Sequence, residues 1–165
     1  MLTEPEIIDR RAQPYVGARA HVTMQTIAPV LPELLPQVFA WLGERGIAPA
    51  GAPFWKYNVI DMERELEVEV GVPIGAATDG DDRVVAGILP SGRYASLRHT
   101  GHPDGLYDAT RALLDWAGER NLTFDVSPGP EGERWAARLE IYETDPAVEP
   151  DMTKWTTQLA FRLAD

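Results

Sequence analysis

The chain has 165 residues, 44% hydrophobic and 25% charged, which is typical of one globular domain with its own core. It contains no cysteine, which excludes disulfide bonds and cysteine-ligated metal centres. A formal net charge of −11 disfavours direct nucleic-acid binding, which needs a basic surface. Neutral or cationic aromatic compounds are more natural partners, although the acidity could serve solubility alone. No signal peptide and no membrane span of ~18 apolar residues is evident, so we expect a cytoplasmic protein.

The first half of the chain predicts strands around one amphipathic helix. Leu31, Leu35, Val38 and Leu42 recur at helical spacing ahead of Gly46. Leucine and valine then alternate with glutamate or glycine, the pattern of a strand with one buried face. The predicted elements are strands over 7–11, 15–24, 54–60, 66–72 and 84–89 and a helix over 29–45.

The second half repeats this order. Leu106, Ala109, Leu113 and Trp116 mark a second amphipathic helix. Trp135, Ala137, Leu139 and Ile141 alternate in one predicted strand, with their apolar side chains towards that helix. The predicted elements are a strand over 93–100, a helix over 104–120, a turn-rich loop over 125–132, a strand over 135–141, a long connection over 144–154 and a strand over 155–163.

An internal match supports duplication. The segment Trp41-Leu-Gly-Glu-Arg-Gly-Ile47 resembles Trp116-Ala-Gly-Glu-Arg-Asn-Leu122, at an offset of 116 − 41 = 75 residues. We therefore predict one α+β domain over 1–165, with half-repeats at about 7–75 and 84–165. Each half would be a strand-helix-strand-strand (βαββ) unit in an antiparallel sheet, related by a pseudo-twofold axis. The sheet faces opposite the helices would enclose a central ligand cleft.

Several short segments together resemble the GyrI-like small-molecule-binding superfamily. They include Pro53-Phe-Trp-Lys-Tyr57, Leu89-Pro-Ser-Gly-Arg-Tyr-Ala95, Leu139-Glu-Ile-Tyr142 and Lys154-Trp-Thr-Thr157. Their order and spacing cover roughly residues 15–163. The resemblance implies a duplicated strand-helix-strand-strand fold around a ligand cleft, as in effector domains of regulators, stand-alone binders and hydrolases of cyclopropane-bearing DNA-alkylating compounds. No helix-turn-helix pattern accompanies it, which disfavours direct DNA binding.

Two classes of function follow from this resemblance. One is an aromatic cleft that binds planar hydrophobic compounds and hydrolyses cyclopropane-bearing xenobiotics, giving resistance to them. The alternative is a non-catalytic protein that sequesters or senses such compounds, or a gyrase-modulator-like protein that binds an unidentified protein partner. Tryptophan and tyrosine together in the segment Phe54-Trp-Lys-Tyr57 favour the hydrolase.

Strand alternation and the resemblance together select the candidate site residues. If Val68 and Val70 pack under the first helix, Glu69 points away from it. Glu140 points away by the same argument from Leu139 and Ile141, whereas the inverted choice of face would place Trp135 in the cleft and Glu140 outside it. The resemblance implies that Glu140 is the buried glutamate of the family. We expect Glu140, helped by Glu69, to activate water or to hold a cation. The predicted ligand-binding residues are Trp55, Tyr57, Tyr142, Trp155, Phe161 and His99.

Other chemistry has no support in the sequence. His21, His99 and His102 lack metal-site spacing, and no serine stands in a nucleophile-elbow context. The glycines form no phosphate-binding loop. We therefore expect no metal and no cofactor.

Overall fold

A computed structural model describes all residues from Met1 to Asp165 and shows an α+β fold built on one curled antiparallel sheet. Ten strands form the sheet, and two α-helices pack on it. Neither helix combines the length and apolarity needed to cross a membrane. The strands are β1 (Glu6–Arg10), β2 (Gln13–Val22), β3 (Phe54–Ile60), β4 (Leu66–Pro73), β5 (Val85–Leu89), β6 (Gly92–Thr100), β7 (Val126–Gly129), β8 (Gly132–Trp135), β9 (Arg138–Tyr142) and β10 (Thr156–Arg162), and the helices are α1 (Ile27–Glu44) and α2 (Leu106–Glu119).

The strand order confirms the duplicated fold. Neighbouring strands run β1-β6-β10-β9-β3-β4-β2-β5, so the order is symmetrical about the contact between β9 and β3. One half contributes β2, α1, β3 and β4, and the other contributes β6, α2, β9 and β10. The outer strands are exchanged, since β1 precedes β2 but pairs with β6, whereas β5 precedes β6 but pairs with β2.

The two helix ends show the repeat at the level of side chains. The guanidinium carbon of Arg45 lies 3.8 Å from the ring centroid of Trp41, and that of Arg120 lies 4.5 Å from the ring centroid of Trp116. In both helices, Nη1 of the arginine also donates a 3.4 Å hydrogen bond to the backbone oxygen of the tryptophan. Burial differs, because Trp41 is fully enclosed and Trp116 is partly exposed.

The helices cover the flanks of the sheet and leave its centre between them. Helix α1 packs on β2 and β4, and helix α2 packs on β6. Leu31, Leu97, Leu106 and Leu113 join this helix-bearing face in the largest apolar cluster of the molecule. Strands β3 and β9 lie between the two helices, and the strip of the helix-bearing face above these two strands is called the groove.

Two local predictions in the second half were wrong. Residues 125–132 are not simply a loop, because β7 and β8 form a hairpin there. The predicted strand over 135–141 is also interrupted at Ala136 and Ala137. There the chain passes from its pairing with β7, where the amide of Ala136 donates to the oxygen of Asp125, to its pairing with β10, where the oxygen of Ala137 accepts from the amide of Arg162. Trp135 consequently packs in the cluster under the helices, whereas Leu139 and Ile141 pack on the opposite face.

Candidate functional site

Strand pairing places Glu140 on the helix-bearing face of the sheet. Residues paired across antiparallel strands share a face, and Glu140 of β9 pairs with Trp55 of β3 and Leu159 of β10. Trp55 in turn pairs with Val70 of β4. Val70 and Leu159 are core residues under the helices, so Trp55 and Glu140 lie on that same side.

Five side chains meet on the floor of this groove and are called the Glu140 cluster. All five remain partly exposed, because β3 and β9 lie between the helices rather than beneath one. A ligand entering the groove can therefore reach them. The cluster consists of Trp55, Tyr57, Arg138, Glu140 and Tyr142.

Glu140 is held by two tyrosines through only one of its oxygens. The hydroxyl of Tyr142 donates to Oε1 of Glu140 at 2.6 Å, and the hydroxyl of Tyr57 donates to the same oxygen at 3.0 Å. Oε2 accepts no hydrogen bond from the protein. Trp55 contacts Tyr142 edge-to-face, with 5.2 Å between ring centroids. The arrangement fixes the carboxyl group and leaves one oxygen for a ligand or a water molecule.

Burial governs the protonation of these groups. Burial raises the pKa of Glu140, although the two tyrosine hydroxyls and the charge of Arg138 act in the opposite direction. The pKa of Tyr57 and that of Tyr142 lie well above the usual value, because burial and the neighbouring carboxylate disfavour a phenolate. Both tyrosines therefore remain hydrogen-bond donors at neutral pH.

Arg138 adds a positive charge to which sequence reasoning assigned no role. Its guanidinium carbon lies 4.7 Å from the ring centroids of both Trp135 and Phe161. The side chain makes no hydrogen bond or ion pair with another protein group, and burial lowers its pKa. The alternation of Arg138, Glu140 and Tyr142 on one face of β9 was the signal that could have drawn attention to it.

The expectation that Glu69 and Glu140 share one cleft was wrong. Glu69 pairs with Lys56, which pairs with Leu139, so this row lies on the face away from the helices. Glu69 is only 2% exposed and accepts hydrogen bonds from Tyr15, at 2.7 Å, and from Asn58. The error followed from assigning Leu139 and Ile141 to the helix side, which inverted the faces of β9.

The other three predicted ligand-binding residues lie outside the Glu140 cluster. His99 is buried on the same face, in a row that runs through Thr157 to Tyr142, and its Nδ1 has no partner. Phe161 is a core residue beneath Arg138. The indole of Trp155 donates to the backbone oxygen of Glu149 at 2.6 Å, and it has no aromatic contact with the cluster.

Two cavities lie outside the groove. One of about 310 Å³ lies beside His21 and Glu67. The other, of about 250 Å³, lies on the face away from the helices over Phe54, Leu139 and Ile141. The side-chain amide of Gln13 there donates to two backbone oxygens, that of Gln158 donates to Ser96, and Glu143 is paired with Arg98, whereas Arg10 only contacts the ring of Tyr94.

A curled, duplicated sheet with an aromatic groove around one carboxyl group defines the class of small-molecule-binding α+β domains. The profile of the GyrI-like small molecule binding domain matches residues 3–162. The chain belongs to the GyrI-like small-molecule-binding family. No curated protein shows significant sequence similarity to it.

Solved structures with the same fold are distant in sequence. The C-terminal domain of EcmrR is 14% identical, with 98% of each chain covered and a TM-score of 0.75. This chain spans 57% of the EcmrR chain in its complex with DNA. SAV2435 bound to tetraphenylphosphonium is 13% identical, with 98% of this chain and 94% of that chain covered and a TM-score of 0.66. A hydrolase from Listeria innocua is 11% identical, with 98% and 92% covered and a TM-score of 0.67.

Proposed function

We propose that the groove between the helices binds planar, hydrophobic aromatic compounds and that Glu140 is its polar centre. The observation that carries the proposal is the partly exposed carboxyl group fixed by two tyrosines beside the ring of Trp55. Aromatic walls hold planar ligands, and a carboxylate among them adds attraction for a cation. SAV2435, which shares the fold, is bound to the lipophilic cation tetraphenylphosphonium.

Ligand binding is tested by the tryptophan fluorescence of the protein during titration with tetraphenylphosphonium and with a neutral planar hydrocarbon. Trp55→Ala should weaken both interactions and reduce the quenching. Trp116→Phe, which removes a tryptophan from a helix rather than from the groove, is the matched control. Equal affinities for Trp55→Ala and the unaltered protein would exclude this groove as the binding site.

We further propose that the bound compound is hydrolysed when it carries a cyclopropane activated by a conjugated dienone, which would give resistance to such alkylating xenobiotics. The water oxygen bonds to a cyclopropane carbon, and the strained carbon–carbon bond breaks. Its electron pair aromatises the dienone to a phenolate. Glu140 takes a proton from the water and the phenolate is then protonated, so the net change is addition of one water. Burial raises the pKa of Glu140, which makes its carboxylate a stronger base. A solved structure of the same fold is a Listeria innocua hydrolase.

Mass spectrometry after incubation with a cyclopropane-bearing alkylator separates hydrolysis from sequestration. A product heavier by one water indicates an enzyme, whereas intact compound in a stable complex indicates a binder. Glu140→Gln should slow an enzymatic reaction by roughly 10²–10⁴-fold, as expected for loss of a general base. Glu4→Gln removes an exposed carboxylate close to the edge strand β1 and should leave the rate unchanged.

A further inference from the structure

The charge of Arg138 is unusual for a groove that would only hold cations. The guanidinium rests on the rings of Trp135 and Phe161, and no protein oxygen accepts a hydrogen bond from it. Eight arginines of this chain have an acidic partner, as Arg162 has in Asp125 at 2.6 Å. Among the five that have none, only Arg10 and Arg138 are half-buried. The guanidinium nitrogens are not among the buried side-chain atoms without a partner, so they still reach solvent, and their five donors are open to an acceptor oxygen of a ligand.

The position of Arg138 relates it directly to the proposed binding site. It stands two residues before Glu140 on the same face of β9, and its partner across the ladder is Phe161 of β10. The cluster therefore presents one positive and one negative side chain along the same strand. A ligand that only carried a positive charge would be attracted by Glu140 and repelled by Arg138.

We propose that Arg138 binds an acceptor oxygen of the ligand, so that the groove selects planar aromatic compounds with a carbonyl group over purely hydrocarbon ones. This inference rests on the proposed binding function and specifies the ligand class. The aromatic part lies against Trp55 and Tyr142, and the carbonyl oxygen accepts from the guanidinium. If the ligand is hydrolysed, Arg138 also stabilises the phenolate oxygen that forms when the cyclopropane opens.

The test compares the affinities of two probes of matched shape, acetonaphthone and ethylnaphthalene, which differ in the carbonyl oxygen. Hydrogen bonds from a charged group discriminate by about tenfold or more, so the unaltered protein should prefer the ketone by about that factor. Arg138→Met keeps an apolar stem on the rings and removes the donors. It should reduce the preference to near unity and leave the affinity for ethylnaphthalene almost unchanged. Arg138→Lys should retain part of the preference.

Two further comparisons make the result decisive. Arg134→Met removes an exposed arginine paired with Glu131 and controls for net charge, so its preference should match the unaltered protein. A preference that persists in Arg138→Met, or that is absent from the unaltered protein although both probes bind through Trp55, overturns the role of Arg138 and leaves the proposed binding function intact. Failure of both probes to bind overturns the binding function and this inference with it.

Discussion

The hydrogen bonds to Glu140 allow a quantitative prediction of the energetic coupling between Tyr142 and Glu140. Tyr142→Phe and Tyr57→Phe each remove one hydroxyl donor to Oε1 and change little else in the ring packing. A hydrogen bond to a charged group contributes about 1.5–3 kcal/mol, and one between neutral groups about 0.5–1.5 kcal/mol. The bond of Tyr142 is 2.6 Å long and that of Tyr57 is 3.0 Å, so Tyr142→Phe should be the more destabilising substitution.

Partial exposure lowers these values, because water can replace the missing donor. We expect Tyr142→Phe to reduce the free energy of unfolding by about 1.5 kcal/mol, at the low end of the charged range. In a Glu140→Gln background the acceptor is a neutral amide, and the same substitution should cost about 0.5 kcal/mol. The difference, about 1 kcal/mol, is the coupling between the two residues.

Urea unfolding at pH 7 of the four proteins in this double-mutant cycle measures the coupling. Tyr94→Phe provides the matched control, since its hydroxyl donates to the backbone oxygen of Pro90 at 2.6 Å and does not touch Glu140. Its cycle with Glu140→Gln should be additive within about 0.5 kcal/mol. Equal couplings for Tyr142 and Tyr94 would show that the carboxyl group is not held by Tyr142.

Three further substitutions test separate parts of the structure. Burial raises the pKa of Glu140, so the ionised carboxylate is less favourable in the folded protein and lowers its stability as pH rises above about 4.5. The stability of Glu140→Gln relative to the unaltered protein, measured by urea unfolding, should therefore increase from pH 4 to pH 7. A difference that stays constant over this range would contradict this. The hydrogen bond from the indole of Trp41 is the main cause of a pKa of about 2 for Asp81. Asp81→Asn should therefore lower the free energy of unfolding at neutral pH and flatten the loss of stability between about pH 4 and pH 2. An unchanged acid-unfolding profile would refute the role of this bond. Gly71→Ala would place its Cβ 2.6 Å from the ring of Phe54, so a lowered midpoint of thermal unfolding is expected. Gly118→Ala should not lower it, because the new Cβ has no atom within 4 Å apart from its chain neighbours and the adjacent backbone of its own helix.

Periodicity predicted most of the fold because the relevant signals are local. Both helices show apolar residues at helical spacing, and β4 alternates valine with glutamate, so their type follows from short windows of sequence. The repeated Trp-x-Gly-Glu-Arg segment marks the same helix end twice. The hairpin of β7 and β8 lacked such a signal, because Ser127, Pro128 and Gly129 favour a turn while the pairing of β8 with β3 is long-range.

The sequence predicted which site residues share one face of a strand, but not which residues of the neighbouring strands lie beside them. Alternation keeps Arg138, Glu140 and Tyr142 together on one side of β9 whichever side is buried, because successive side chains point to opposite faces. Which residues of β3 lie beside them depends on whether that side of β9 faces the helices. Once Ala136 and Ala137 interrupt the ladder, the alternation that starts at Trp135 no longer continues through Leu139, and a one-residue change in phase exchanges every neighbour. Glu69 and Lys56 are then replaced by Trp55 and Tyr57, so a paired-carboxylate site becomes a single carboxyl group among aromatic rings with an arginine beside it. The interruption of the strand at Ala136 and Ala137 therefore determines which side chains meet in the groove. Two alanines do not reveal such an interruption in the sequence.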